Sequence, residues 1–134
     1  MPNFSETSTN YLLYCHHDLR ELFTRVVKDY DCTVVSGHRG ESEQNELHRR
    51  GMSKKKFPES KHNTLPSLAV DVMAYPVDWE AWERNYMFVG YVLGVAASMG
   101  IKVRAGADWD GDGEIEDQTF HDLAHFELIE EREI

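Results

Sequence analysis

Cysteine is scarce in this 134-residue chain: only Cys15 and Cys32 occur, and neither belongs to a CxxC pair. That excludes a disulfide scaffold, and both thiols read as reduced, buried apolar side chains. Positive charge is also in short supply. Fourteen Lys and Arg face twenty-four Asp and Glu, a formal charge of -10, which argues against nucleic acid or an anionic membrane as the main partner. No apolar run approaches the roughly 18–20 residues of a bilayer span, so no membrane insertion is expected. The opening MPNFSETSTN has neither a basic nor an apolar signal region, which predicts synthesis in the cytosol and export only with outside help. Repeats, low-complexity tracts and linkers are absent.

Core-forming material is plentiful, at 41% hydrophobic residues with three Trp, six Tyr and six Phe. A single domain is expected, since two halves would each be too small to bury a useful core. Helical spacing of Leu12, Leu19, Leu22, Phe23, Val26, Val27 and Tyr30 predicts one amphipathic helix over about 10–30, with Ser8, Thr9 and Asn10 as cap oxygens. CTVVS (32–36) reads as a strand and 41–50 as a helix stopped by Gly51. The basic stretch RRGMSKKK (49–56) reads as a solvated loop. LAVDVMA (68–74) reads as a second strand. Asp78 is placed to cap a long helix that carries Trp79, Trp82, Tyr86, Val89, Val92, Leu93 and Ala96 to Gly100. IKVRA (101–105) and AHFELI (124–129) complete a small, mostly antiparallel sheet packed with helices, an α+β fold.

Chemistry concentrates in two stretches. HDLAHFELI (121–129) sets His121, Asp122 and His125 at the start of an apolar strand. SKHNTLPSLAVDVMAYP (60–76) carries His62 in a polar loop and Asp71 inside an otherwise apolar strand. A carboxylate in a buried strand costs several kcal/mol unless it is paired or bound to a cation. Period-two alternation puts Asp71 on the face of Ala69 and Met73, opposite Val70 and Val72. His62, Asp71 and His125 suit a catalytic zinc, which takes three protein ligands and keeps a fourth position open. The residues alone leave that reading open beside a set of hydrogen-bonded core side chains. His121 reads as an exposed turn histidine. Cys15, His16 and His17, adjacent on a helix, point in different directions.

SKH followed by SLAVDV, and later DLAHFEL, resembles the SxHxxGxAxD and (D/E)xxH motifs of zinc peptidases related to D-alanyl-D-alanine carboxypeptidases. It is most similar to their small phage members, the L-alanyl-D-glutamate peptidases that act as endolysins. SGHRGESEQNELH (36–48) resembles the same family's upstream element, an arginine in a loop before a helix with glutamine. The resemblance covers about 32–129. It implies a hedgehog/D-Ala-D-Ala peptidase-like fold, zinc on His62, Asp71 and His125, Asp122 as general base, Arg39 on the substrate and oxyanion, and Ser60 supporting the loop. It also implies a peptidoglycan stem peptide as substrate. The expected setting is a monomer without a separate wall-binding domain, made in the host cytoplasm and released to the wall by a holin-type partner. Two departures stand out: His62 and Asp71 lie two residues further apart than in the motif, and Ser67 replaces its glycine. A D-Ala-D-Ala carboxypeptidase or dipeptidase, or a non-catalytic metal-stabilised binding module, are the alternatives.

DWDGDGEIEDQT (108–119) resembles a calcium loop. Asp108, Asp110 and Asp112 alternate, Gly113 permits the turn, and Glu114 offers a carbonyl, while Thr119 stands where the bidentate glutamate belongs. Mutual repulsion among these carboxylates favours a cation. A regulatory calcium that positions Asp122 is the resulting expectation.

Overall fold

The predicted first helix is broken. A computed structural model, which describes residues 2–107 and 122–130, has α1 over Glu6–Leu13 and α2 over His17–Asp29. The break comes from a partner some fifty residues away. Ser67 donates its N–H to the Tyr14 carbonyl at 2.7 Å and accepts from the His16 N–H at 2.9 Å, so the backbone at 14–16 cannot continue the helical ladder. His16 then caps α2, its Nδ1 accepting from the Asp18 N–H at 3.1 Å. The cap of α1 is Ser5 rather than a residue at 8–10. Phase survives the break: Leu12, Leu19, Leu22, Phe23, Val26 and Val27 are all buried.

The remaining elements follow the sequence closely. They are β1 (Cys32–Ser36), α3 (Glu41–Arg49), a 3-10 turn (Lys61–Asn63), β2 (Ala69–Ala74), α4 (Trp82–Met99), β3 (Val103–Ala105) and β4 (His125–Leu128). α4 starts three residues later than Asp78 as its cap would place it, with Ala81 at the cap. Asp78 instead accepts the Glu80 N–H through Oδ1 and the Asn85 amide through its carbonyl, closing a turn ahead of the helix. Trp79 and Trp82 are accordingly exposed, whereas Phe88, Val89, Val92 and Ala96 are buried. α4 ends at Gly100, whose φ of 71° lies in the left-handed region that glycine adopts without a Cβ clash.

The sheet is antiparallel throughout, in the order β1-β2-β4-β3. β2 is central and buried along its whole length, which is why it reads as an apolar run rather than an alternation. Val70 faces Phe126 across β2 and β4, and Phe126 meets Phe23 and Phe88 edge-on, tying that sheet face to α2 and α4. The opposite face carries Asp71 beside His125, and Glu127 beside Arg104. One pleated surface therefore holds the core on one side and the ionisable groups on the other.

Candidate metal centre

Asp71 and His125 pair directly across β2 and β4, so strand register alone brings their side chains together. His62 comes from the segment that covers this face. Ser60 caps the 3-10 turn there: its Oγ accepts from the His62 N–H at 3.1 Å, and Asn63 Oδ1 accepts from the Ser60 N–H at 3.0 Å. His62 is 1% exposed, fixed well inside the fold.

His62 Nε2, His125 Nδ1 and Asp71 Oδ1 form a nearly equilateral triangle with edges of 3.2, 3.3 and 3.4 Å. Tetrahedral ligands at about 2.0–2.1 Å from an ion lie about 3.3–3.4 Å apart, so the triangle has the size of one face of such a shell. The outer ring atoms fix the tautomers. His62 Nδ1 donates to the Gly37 carbonyl at 2.7 Å, and His125 Nε2 donates to Glu127 Oε1 at 2.8 Å. In those tautomers both lone pairs point into the triangle, where a metal ion can stand. In its absence a proton bridges the 3.2 Å gap, and the His125 pKa is pushed up to about 9, burial opposing this but the Asp71 and Glu127 bonds outweighing it. Asp71 Oδ1 is buried and accepts no hydrogen bond from the described residues. The donor set fits a single metal ion, and these three residues are the ones that would hold it.

The surrounding charges orient the set. Arg39 Nη2 donates to Asp71 Oδ2 at 2.9 Å, leaving Oδ1 for the centre. Burial opposes ionisation of Asp71, but His62 and His125, when protonated in the metal-free site, outweigh it by charge and hydrogen bonding and hold the carboxyl far below the usual range. Asp122 Oδ2 lies 3.9 Å from His125 Nδ1. Its pKa is raised, by burial first and then by the like charge of Asp71. Gly106 lets Asp122 approach: a Cβ at position 106 would sit 2.3 Å from the Asp122 carbonyl oxygen. Glu127, 4% exposed, binds Lys61 Nζ at 3.2 Å and Arg104 Nη1 at 3.3 Å as well as His125.

The structure thus gathers His62, Asp71, His125, Asp122, Arg39 and Ser60 in one place, and these residues together with Lys54 and Lys55 line or flank a cavity of about 330 Å³. Arg39, expected on the substrate, stands on the Asp71 carboxylate. Between His62 and Asp71 the chain passes through the exposed stretch Thr64, Leu65 and Pro66, and the Ser67 hydroxyl donates to the Ala69 carbonyl at 2.6 Å. Sequence reasoning missed Glu127, Gly106 and the packing role of Gln44. For Glu127 a signal existed, because alternation in HFEL puts it on the face of His125. His16, His17 and Asp18 form another grouping, but they are consecutive, partly exposed, and His16 already caps α2. The expected calcium segment, with Asp108, Asp110, Asp112 and Glu114, and also His121, lie outside the described residues.

A model of the phage L-alanyl-D-glutamate peptidase family matches residues 2–129. The chain is 29% identical over 134 residues to the L-alanyl-D-glutamate peptidase of Escherichia phage T5, covering 94% of this chain and 97% of that protein. Its fold is similar to the crystal structure of Serratia marcescens L-Ala D-Glu endopeptidase ChiX, with a TM-score of 0.75 and 28% identity, over 96% of this chain and 91% of that one.

Proposed function

The chain belongs to the phage L-alanyl-D-glutamate peptidase family, and on that premise we propose that it is a zinc endolysin that cleaves the L-alanyl-D-glutamate bond of peptidoglycan stem peptides to lyse the host. The supporting observation is the 3.2–3.4 Å triangle of His62, His125 and Asp71, with its orphaned carboxylate oxygen, beside a carboxylate of raised pKa. The set is an open one, since three ligands leave a tetrahedral position unused by protein.

Zinc bound there supplies a Lewis acid that polarises the scissile carbonyl and makes water nucleophilic near neutral pH. Asp122 takes the proton of the attacking water as the new C–O bond forms. It then delivers that proton to the leaving amine as the C–N bond breaks, giving an alanyl carboxylate and a free D-glutamyl amine. The raised pKa of Asp122 suits both halves of that task. Arg39 holds Asp71 in place, and its positive charge on the cavity wall favours the anionic tetrahedral intermediate. Glu127 keeps His125 in the tautomer whose Nδ1 is a ligand.

Among the described residues no helix is long and apolar enough to cross a membrane. The family resemblance supports a separate holin-type protein for access to the wall. The acidic segment from Asp108 to Glu114 carries the calcium proposal by its sequence; calcium added to zinc-loaded protein is expected to raise lysis, and equal rates with and without chelated calcium would end it. Mass spectrometry of digested, purified peptidoglycan tests the main reading. New fragments beginning with D-glutamate are expected. Release of D-alanine would reassign the bond, and no cleavage by zinc-loaded protein would leave a binding module.

A further inference from the structure

An acidic chain concentrates five of its fourteen cationic side chains on the cavity beside the metal ligands: Arg39, Lys54, Lys55, Lys61 and Arg104. Arg39 is bound to Asp71, and Lys61 is bound to Glu127 and the Leu128 carbonyl. Arg104 likewise touches Glu127, at 3.3 Å, and with the exposed Lys54 and Lys55 it walls the cavity further out. The loop bearing Lys54 and Lys55 is held in place by Gln44, which is fully buried on α3. Gln44 Nε2 donates to the Lys55 carbonyl at 2.7 Å and to Ser53 Oγ at 2.9 Å, while its Oε1 accepts from Arg39 and Asn63. The same carboxamide thus ties the basic loop to the arginine and to the turn that carries His62. Arg104 projects from β3, one Nη on Glu127, with 28% of its side chain exposed.

A second cavity, of about 500 Å³, shares Arg39, Met52 and Asp122 in its lining but is walled by Trp79 and Trp82, which are 53% and 56% exposed. The site is therefore asymmetric about Asp122, cationic on one side and aromatic on the other. A stem peptide is asymmetric in the matching way. Its D-glutamate is linked onward through the side-chain carboxyl, so a free α-carboxylate lies on the leaving side of the scissile bond. A sugar-bearing, uncharged half lies on the other side, and indole faces suit it.

Resting on the proposed function, we propose that Lys54, Lys55 and Arg104 form a carboxylate-binding wall that recognises the free α-carboxylate of the D-glutamyl residue and sets the direction of the stem peptide across Asp122. The guanidinium fork supplies direction and the loop lysines supply charge. Exposed lysines alone discriminate weakly, so the combined preference is set at about tenfold in kcat/KM.

Two synthetic peptides test it, L-Ala-γ-D-Glu-L-Lys and its counterpart in which the α-carboxylate is a carboxamide, each incubated with zinc-loaded protein. The carboxylate peptide is expected to be cleaved about tenfold more efficiently, chiefly through KM. The ratio is expected to fall toward one in Lys54→Ala/Lys55→Ala and in Arg104→Gln, and to shrink as salt is raised. Lys28→Ala, on α2, is expected to leave it alone. Since Arg104 also bonds Glu127, zinc content is measured beside it, and Lys55→Glu gives a second variant, expected to lower the ratio further than Lys55→Ala. Equal cleavage of both peptides by the parent protein, or a ratio unmoved by the lysine variants, overturns the carboxylate wall alone. Cleavage of neither peptide overturns the peptidase reading and the wall with it.

Discussion

Replacing Glu127 by Gln changes one atom's chemistry and leaves the side chain's shape. The carboxylate has three partners: the His125 Nε2–H at 2.8 Å, Lys61 Nζ at 3.2 Å and Arg104 Nη1 at 3.3 Å. Glutamine cannot serve all of them. With its oxygen toward His125, its NH2 faces two cations that also donate. With its NH2 toward His125, the ring must turn its proton to Nδ1, the atom aimed at His62 and Asp71, and that nitrogen can no longer bind a metal. Partners of this kind are worth about 10- to 100-fold in metal affinity, or roughly 1.4–2.7 kcal/mol. Apo stability is expected to fall by a comparable amount, about 1–3 kcal/mol, with Lys61 keeping the Leu128 carbonyl and Arg104 partly solvated. Competition with a chromophoric chelator reads the first quantity, and thermal melts with and without zinc read the second. Zinc affinity within twofold of the parent would refute the reasoning and reduce Glu127 to a counter-charge for Lys61.

Asp122→Ala is expected to keep zinc and lose turnover by at least about 100-fold, whereas His125→Ala loses the ion; metal analysis beside an activity assay separates the roles, and a zinc-free Asp122→Ala protein would contradict them. Gly106→Ala is expected to displace the Asp122 backbone and lower kcat with zinc retained, since a Cβ there lies 2.3 Å from the Asp122 carbonyl oxygen; an unaltered kcat would show that Asp122 tolerates the shift. Burial would raise the Glu127 pKa, but the His125 bond and the Lys61 charge outweigh it and hold it near 2, below its ordinary 4.5. A depressed folded value gives stability that is present above 4.5 and lost as pH falls toward 2. Zinc-free protein is therefore expected to weaken across that window in chemical denaturation, with a shallower slope in Glu127→Gln.

The sequence displayed the centre wherever one residue contradicted its surroundings. Asp71 stands out because a carboxylate interrupts AVDVMA, and the buried central strand explains both the apolar run and the exception. His125 and Asp122 were legible from their three-residue spacing. The split between α1 and α2 was not, because its cause is the backbone of Ser67, a contact that no local periodicity records. Trp79 and Trp82 fit the helical phase but fall before or at the first turn of α4, so they remain at the surface, where they border the second cavity. Gln44 looked like one polar residue among several on an acidic helix. Only its complete burial, with four partners drawn from three segments, marks it as the joint between the basic loop, Arg39 and the His62 turn.

X-ray absorption of the zinc-loaded protein addresses the shared metal centre most directly. Two imidazole nitrogens, one carboxylate oxygen and one further light atom at about 2.0–2.2 Å are expected, with the imidazole signal lost in the His62→Ala and His125→Ala variants. A sulfur shell at about 2.3 Å, or a zinc signal that survives both substitutions unchanged, would contradict it.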